Sequence, residues 1–155
     1  MIKYIKGDAT SPVGEGNKVI AHISNDVGGW GAGFVLALSK RWIQPEAHYR
    51  AEAKKLTKEN PYLTLGDVQF VQVENNIVVA NMIGQHLTVS RTKETPIRYE
   101  AVKKCLEEVN EFCMLNNATL HAPRFGSGLA GGDWNKIEAI INSTMSVDVT
   151  IYDFN

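Results

Sequence analysis

From Ile2 to Lys6 apolar and polar residues alternate as in a half-buried strand, and Gly7-Asp8 closes the run. Residues 11–17, with Pro12, Gly14 and Gly16, predict a polar loop. Residues 18–24 form a nearly continuous apolar run, the pattern of a strand covered on both faces. The run enters a glycine-rich link, residues 25–33, after which Phe34, Val35, Leu38 and Trp42 recur at helical spacing. Pro45 stands where a helix takes its first residue, and residues 46–57 are rich in helix formers. Residues 67–73 alternate again, Asn75-Asn76 predicts a turn, and residues 77–83 read as another buried strand, so the pair predicts a hairpin. Residues 84–95 are polar and irregular, long enough for a functional loop. Thr95-Pro96 predicts the start of a helix whose apolar face carries Val102, Leu106, Val109 and Cys113, and Asn116-Asn117 ends it. A short strand at 118–122 leads to a second glycine-rich link, a helix over 134–141 with Asp133 as N-cap, and a final alternating strand over 147–154.

Strands and helices in this order predict one α/β sandwich around a mixed, mostly buried sheet. At 155 residues the chain is long enough for a real core, and 44% apolar against 21% charged residues describes a globular protein. A formal net charge of −1 argues against a general nucleic-acid or membrane-surface binder. Cys105 and Cys113 fall eight residues apart in one predicted helix, which separates them by about two turns and suits buried thiols in a reducing compartment. His22, His48, His86 and His121 are scattered with no metal-ligand spacing, so no metal and no cofactor are expected. No signal peptide or membrane-spanning run is apparent, and a cytoplasmic monomer is expected.

The two glycine-rich links carry the chemistry. Four glycines within residues 126–132, between a strand and a helix, give free backbone N–H groups beside a helix N-terminus, and such a site takes an anion. Residues 25–33 repeat the device after another buried strand. If those strands are neighbours, the loops can grip a diphosphate from both sides. Gly126-Ser127-Gly128-Leu129-Ala130-Gly131 fits G-x-G-x-x-G, with Asp153 near the distance of a ribose-binding acid. Only one strand follows, however, and a dinucleotide fold needs several more βα units. No glycine loop ends in Lys followed by Ser or Thr, which removes a nucleotide-hydrolysing phosphate loop. Asp8 reads equally as an acceptor for an exocyclic amine or as a turn aspartate. Tyr152 or Phe154 could stack on a base, although aromatics in a terminal strand more often belong to the core.

Gly7-Asp8-Ala9-Thr10, the stretch from Val19 through Asp26 to Leu38, and Pro123-Arg124-Phe125-Gly126-Ser127-Gly128-Leu129 with Gly131-Gly132 and Trp134 resemble, in order, the motifs of the macro domain family. The resemblance covers essentially the whole chain, 1–155. It is nearest the branch of the terminal ADP-ribose protein glycohydrolase and the yeast ADP-ribose 1''-phosphate phosphatase, in which Tyr99-Glu100 also has a counterpart. It implies a three-layer α/β/α sandwich with a mixed central sheet of about six strands, and ADP-ribose or an ADP-ribosylated substrate as the partner. Asp8, with Ala9, would bind adenine, and Tyr152 would line the adenine side. Gly29, Gly31, Ala32, Gly33 and Phe34 would hold the diphosphate from one side. Gly126, Ser127, Gly128, Leu129 and Ala130 would hold it from the other, and Pro123 and Phe125 would also bind the ligand. The distal ribose would sit near Ser24, Asn25 and Ser127. The glycohydrolase carries a catalytic lysine before the long helix and an aspartate after the Gly-Leu of the second loop. This chain has Ala130 at the aspartate position, and its nearest basic residues before the helix are Arg91 and Lys93.

Two functional expectations follow. In one, an ADP-ribose ester is hydrolysed with His22 in proton transfer and Asn25 and Asp26 orienting substrate or water. His22 reads somewhat more readily as a buried strand histidine with a satisfied hydrogen bond. In the other, the domain reads ADP-ribose without catalysis. Trp30 would be either a lid over the phosphates or a surface aromatic that packs locally.

Overall fold

A computed structural model describes residues 2–88, 94–128 and 130–154. Along these residues the order is β1 (Ile2–Lys6), β2 (Asn17–Asn25), α1 (Phe34–Arg41), α2 (Gln44–Ala53), β3 (Val68–Glu74), β4 (Ile77–Gln85), α3 (Tyr99–Leu115), β5 (Ala118–Ala122), α4 (Trp134–Thr144) and β6 (Val149–Asp153). The strands form one sheet in the order β1-β6-β5-β2-β4-β3. Five run parallel, and β3 at the edge pairs antiparallel with β4 through the predicted hairpin.

Alternation along β2 explains its continuous apolar run. Val19 and Ala21 pack with Val102, Leu106 and Val109 of α3 and with Ile137 and Ile141 of α4. Ile20 points the other way, to Leu38 of α1 and Tyr49 of α2. With helices on both faces, every residue of the strand meets protein, and each fully buried Ile or Leu contributes ~1.5–3 kcal/mol. The result is the expected three-layer sandwich. Cys105 and Cys113 are buried on α3, and burial pushes both thiols up to about 12.

The long helix begins later than Thr95-Pro96 implies. Residues 96–98 lie instead antiparallel beside the end of β4: the His86 N–H donates to the Pro96 carbonyl at 2.8 Å and the Arg98 N–H to the Gly84 carbonyl at 2.9 Å. This pairing holds Arg98 extended at φ −125°, ψ 103°, so helical geometry starts at Tyr99. The residue before the helix is therefore fixed by the sheet, not by the proline. Of the predicted functional loop at 84–95, residues 89–93 lie outside the described residues, and Arg91 and Lys93 are among them; so does Leu129.

Candidate functional site

β2 and β5 are parallel neighbours, with Val19 opposite Leu120 and Ile20 opposite His121. Both glycine links therefore leave the sheet at the same end, side by side. From β2 the chain moves to β4 on one side, and from β4 it crosses back to β5 on the other. That reversal opens a crevice beyond the carboxyl ends of the strands, where open α/β sheets bind ligands. A cleft of about 420 Å³ lies there, walled by His22, Ser24 and Asn25 of β2, by Gly29, Gly31, Ala32, Gly33 and Phe34, and by Pro123, Phe125, Gly126, Gly128 and Ala130.

Asn25 ties the first loop. Its Oδ1 accepts from the N–H groups of Val27 and Gly29 at 3.0 and 2.9 Å, and its Nδ2 donates to the Gly29 carbonyl at 2.9 Å. The buried Tyr49 hydroxyl lies 2.7 Å from the same Oδ1 and accepts the Gly28 N–H at 3.1 Å. Gly28, at φ 88°, makes the turn that this knot requires. The loop then delivers the chain to α1 with Gly33 at its N-cap and no side chain capping the first turn. The leading amides of α1 thus face the cleft with positive partial charge.

The second loop is closed by its own backbone. The Gly132 N–H donates to the Gly126 carbonyl at 2.7 Å and the Gly131 N–H to the Gly128 carbonyl at 3.0 Å. A Cβ on Gly132 would stand 2.5 Å from the Gly126 carbonyl oxygen, so this close approach demands glycine. Asp133 caps α4 as the sequence predicts, accepting the Asn135 N–H at 2.9 Å. Gly128 differs from its neighbours: a Cβ there meets nothing within 4 Å.

At the floor of the cleft two buried polar atoms, His22 Nδ1 and Ser24 Oγ, have no partner among the described residues. They belong to residues two apart on β2, hence on one face of it. His22 Nε2 lies 2.6 Å from Asn81 Oδ1, and Asn81 Nδ2 in turn donates to the Pro45 carbonyl and Gln69 Oε1. That arrangement fixes the proton on Nε2 and leaves the Nδ1 lone pair open. Burial pushes the imidazole down to about 4, so at neutral pH it is an uncharged acceptor rather than a group poised near 7. Trp30 is no lid: it is 5% exposed, packs edge-on to His22 and donates Nε1–H to Ser39 Oγ at 2.8 Å.

Other expected residues lie elsewhere. Asp26 is turned from the cleft; its Oδ2 is 2.7 Å from His86 Nδ1 and its Oδ1 accepts the Leu87 N–H at 2.8 Å. The Asn25 amide, at the wall of the cleft, is committed to the loop, and the Asp26 carboxylate to His86 and Leu87. Asp8 Oδ1 accepts from the N–H and hydroxyl of Thr10, and Ala9 is buried behind it. Ser127 Oγ donates to the Arg124 carbonyl. Tyr152 does not reach the cleft, because its hydroxyl sits between the Val13 N–H and His121 Nδ1. Asp153 pairs with Arg124 at 2.6 Å and is no free ribose acceptor.

Gln85, Thr88 and Arg124 also line the cleft. Arg124 stands inside the quoted motif, but Gln85 and Thr88 follow β4, whose place beside β2 no local pattern announces. Among the described residues there is no group of three or more His, Cys, Asp or Glu that could hold a metal, and no helix long and apolar enough to cross a membrane.

No family model matches the chain. Among curated proteins it is 28% identical over 165 residues to the mouse chromodomain-helicase-DNA-binding protein 1-like, covering 99% of this chain and 18% of that protein. It is 24% identical to the ADP-ribose 1''-phosphate phosphatase of Lodderomyces elongisporus, covering 97% of each. The solved DarTG of Thermosipho africanus in complex with ADP-ribose shares the fold at a TM-score of 0.73 and 16% identity, over 99% of this chain and 41% of that one. The macrodomain protein of Streptomyces coelicolor superposes with a TM-score of 0.84 at 47% identity over 99% of both chains. By that identity over its full length, with two glycine loops facing each other from β2 and β5, the chain belongs to the macrodomain family.

Proposed function

We propose that the cleft binds ADP-ribose and that the protein hydrolyses an ADP-ribose derivative, either ADP-ribose 1''-phosphate or an ADP-ribosyl ester on a macromolecule. The observation that carries the reading is the facing pair of glycine loops lining one cleft, with the uncapped start of α1 beside it and, at its floor, the open acceptor His22 Nδ1 and the unpartnered Ser24 Oγ. Amides and a helix N-terminus neutralise a diphosphate without a basic patch, which agrees with the near-zero net charge. The open acceptor suits a ribose hydroxyl or a water held beside one. The yeast relative named as a phosphatase and the DarTG structure holding ADP-ribose support the same ligand. In this reading His22 accepts a hydrogen bond and aligns substrate or water. Holding water and substrate together supplies much of the barrier reduction by proximity alone.

A non-catalytic reader of ADP-ribose is the second reading, favoured by Ala130 standing where the glycohydrolase places its acid. Phosphate release from ADP-ribose 1''-phosphate and ADP-ribose release from a modified protein separate the two. Turnover of neither, with calorimetric binding intact, identifies the reader. Gly128→Glu tests the placement itself. Because the position is open, the variant folds normally; its carboxylate enters the anion site, and ADP-ribose binding disappears from the calorimetric trace. Unchanged affinity would refute the cleft as the site.

A further inference from the structure

Asn81 of β4 does not line the cleft, yet it is bonded to a residue that does. It lies opposite His22 in the pairing of β2 with β4 and is 0% exposed. Its Nδ2 donates to the Pro45 carbonyl at 3.1 Å and to Gln69 Oε1 at 3.2 Å. A backbone carbonyl only accepts, so the Pro45 bond fixes which way round the amide stands. Oδ1 is thereby turned to His22 Nε2 at 2.6 Å, and a carbonyl oxygen there requires the imidazole proton on Nε2. Residues of α2 and β3 thus dictate, through Asn81, the tautomer of a histidine on β2.

The consequence at the cleft is an uncharged acceptor. His22 and Ser24 line the cleft, and His22 Nδ1 and Ser24 Oγ are buried without a partner among the described residues. On the elements around them, Tyr49 packs behind Trp30, Arg41 and Glu46 pair with Glu74 and Arg50, Asp26 serves His86 and Leu87, and Lys18 and His121 are bonded to Gly16 and Tyr152. None of these acts on the His22 charge; burial first, and then the Asn81 bond, govern it, and burial pushes the imidazole down to about 4. A buried acceptor without a donor is costly, so an occupant of the floor is favoured when it donates. A phosphate or carboxylate oxygen would set lone pair against lone pair at Nδ1, whereas the serine hydroxyl gives or takes a hydrogen bond. Two vicinal sugar hydroxyls suit both atoms, one donating to Nδ1 and its neighbour accepting from Ser24 Oγ.

We propose that Asn81 is a positioning residue for ligand choice: by holding His22 with Nδ1 open, it makes the cleft floor a reader of free sugar hydroxyls and turns charged groups away from it. This rests on the ADP-ribose-binding reading above. The division of labour is then set within one cleft, with the glycine loops and the start of α1 for the diphosphate and the floor for a ribose. A site built to pair with a hydroxyl rejects an analogue that lacks it, because its own buried atoms are left unpaired.

Nitrogen NMR of the whole wild-type protein reads the tautomer directly: between about pH 6 and pH 8, Nε2 of His22 should resonate as a protonated and Nδ1 as an unprotonated ring nitrogen. Saturating ADP-ribose should move the Nδ1 signal upfield, as an accepted hydrogen bond does. Saturating ribose 5-phosphate, which has hydroxyls but no base, should do the same. The opposite tautomer, an Nδ1 signal that neither ligand moves, or a response to ADP-ribose alone overturns the proposal, the last by assigning the floor to the base. Asn81→Asp separates positioning from packing. A carboxylate against Nε2–H favours the imidazolium, so Nδ1 gains a proton and the floor loses its acceptor. Wild-type affinity for ADP-ribose in calorimetry should change less than about twofold over that pH range, because His22 stays neutral. The variant should bind about tenfold or more weakly at the acid end and recover as the pH rises through its raised histidine pKa. A loss equal at every pH is what loosened packing gives, and it overturns the role of Asn81; should the variant not fold, the wild-type spectra decide. Absence of ADP-ribose binding by the wild type removes the binding reading itself, whereas binding with an unmoved Nδ1 overturns this inference alone.

Discussion

His22 and His121 are buried to 2% and 3% exposure, and burial pushes each imidazole from 6.5 down to about 4. His121 Nδ1 lies 2.7 Å from the Tyr152 hydroxyl, which accepts the Val13 N–H, and its Nε2 lies 2.7 Å from Thr119 Oγ1. Between the two values the unfolded chain binds more protons than the folded one, so stability rises with pH across that window. The contribution is complete above pH 6.5 and is lost as the pH falls towards 4; for each histidine it is on the order of 3 kcal/mol. Urea denaturation at pH 7 and pH 5 should show a marked fall in unfolding free energy. His121→Gln, although less stable overall, should show a visibly shallower pH dependence. A slope unaltered by that change would remove the histidine from the acid response.

At the scale of elements, the strand, turn and cap signals were strong where they were local. Asp133 caps α4 with the bond its position predicts, and replacing it by Ala should cost about 1 kcal/mol in urea denaturation while ADP-ribose affinity is nearly kept. The alternating and continuous apolar runs placed all ten elements in their observed order because each is amphipathic or buried at its own period. What escaped local reading came from pairings across the fold. Pro96 looks like a helix start but lies in a bridge to β4, and only the sheet explains that. Asn25 carries polar chemistry in its side chain, yet a tyrosine twenty-four residues on and a glycine four residues on consume it. His86 was one of four scattered histidines until the fold set Asp26 against it. Trp30 in a glycine loop suggests a lid, whereas the depth of α1 and α2 packing decides that it is floor.

Across the whole molecule, the strand order sets a row of strand ends along one edge before any side chain is considered. The carboxyl ends of β1, β6, β5, β2 and β4 succeed one another along one edge, and strands lie about 4.8 Å apart, so the row from β1 to β4 spans on the order of 19 Å. That length accommodates an extended ADP-ribose. At the β1–β6 end Tyr152 is enclosed at 3% exposure, while Phe154, immediately beyond β6, is 78% exposed. If adenine rests at this end, the exposed ring is the one free to stack on it, with Asp8 beside it, since the Gly7 N–H is bonded to the Asp153 carbonyl at 3.0 Å. A stacked base is worth about 1–3 kcal/mol, so Phe154→Ala should weaken ADP-ribose roughly tenfold in calorimetry. Binding of ribose 5-phosphate, which has no base, should not change. Tyr152→Phe should do the reverse: losing the hydroxyl between Val13 and His121 costs about 1–3 kcal/mol of stability by denaturation and leaves the affinity nearly unaltered. Equal losses of affinity in both variants would mean that adenine rests elsewhere, and the layout along the strand ends would have to be redrawn from the phosphate loops outward.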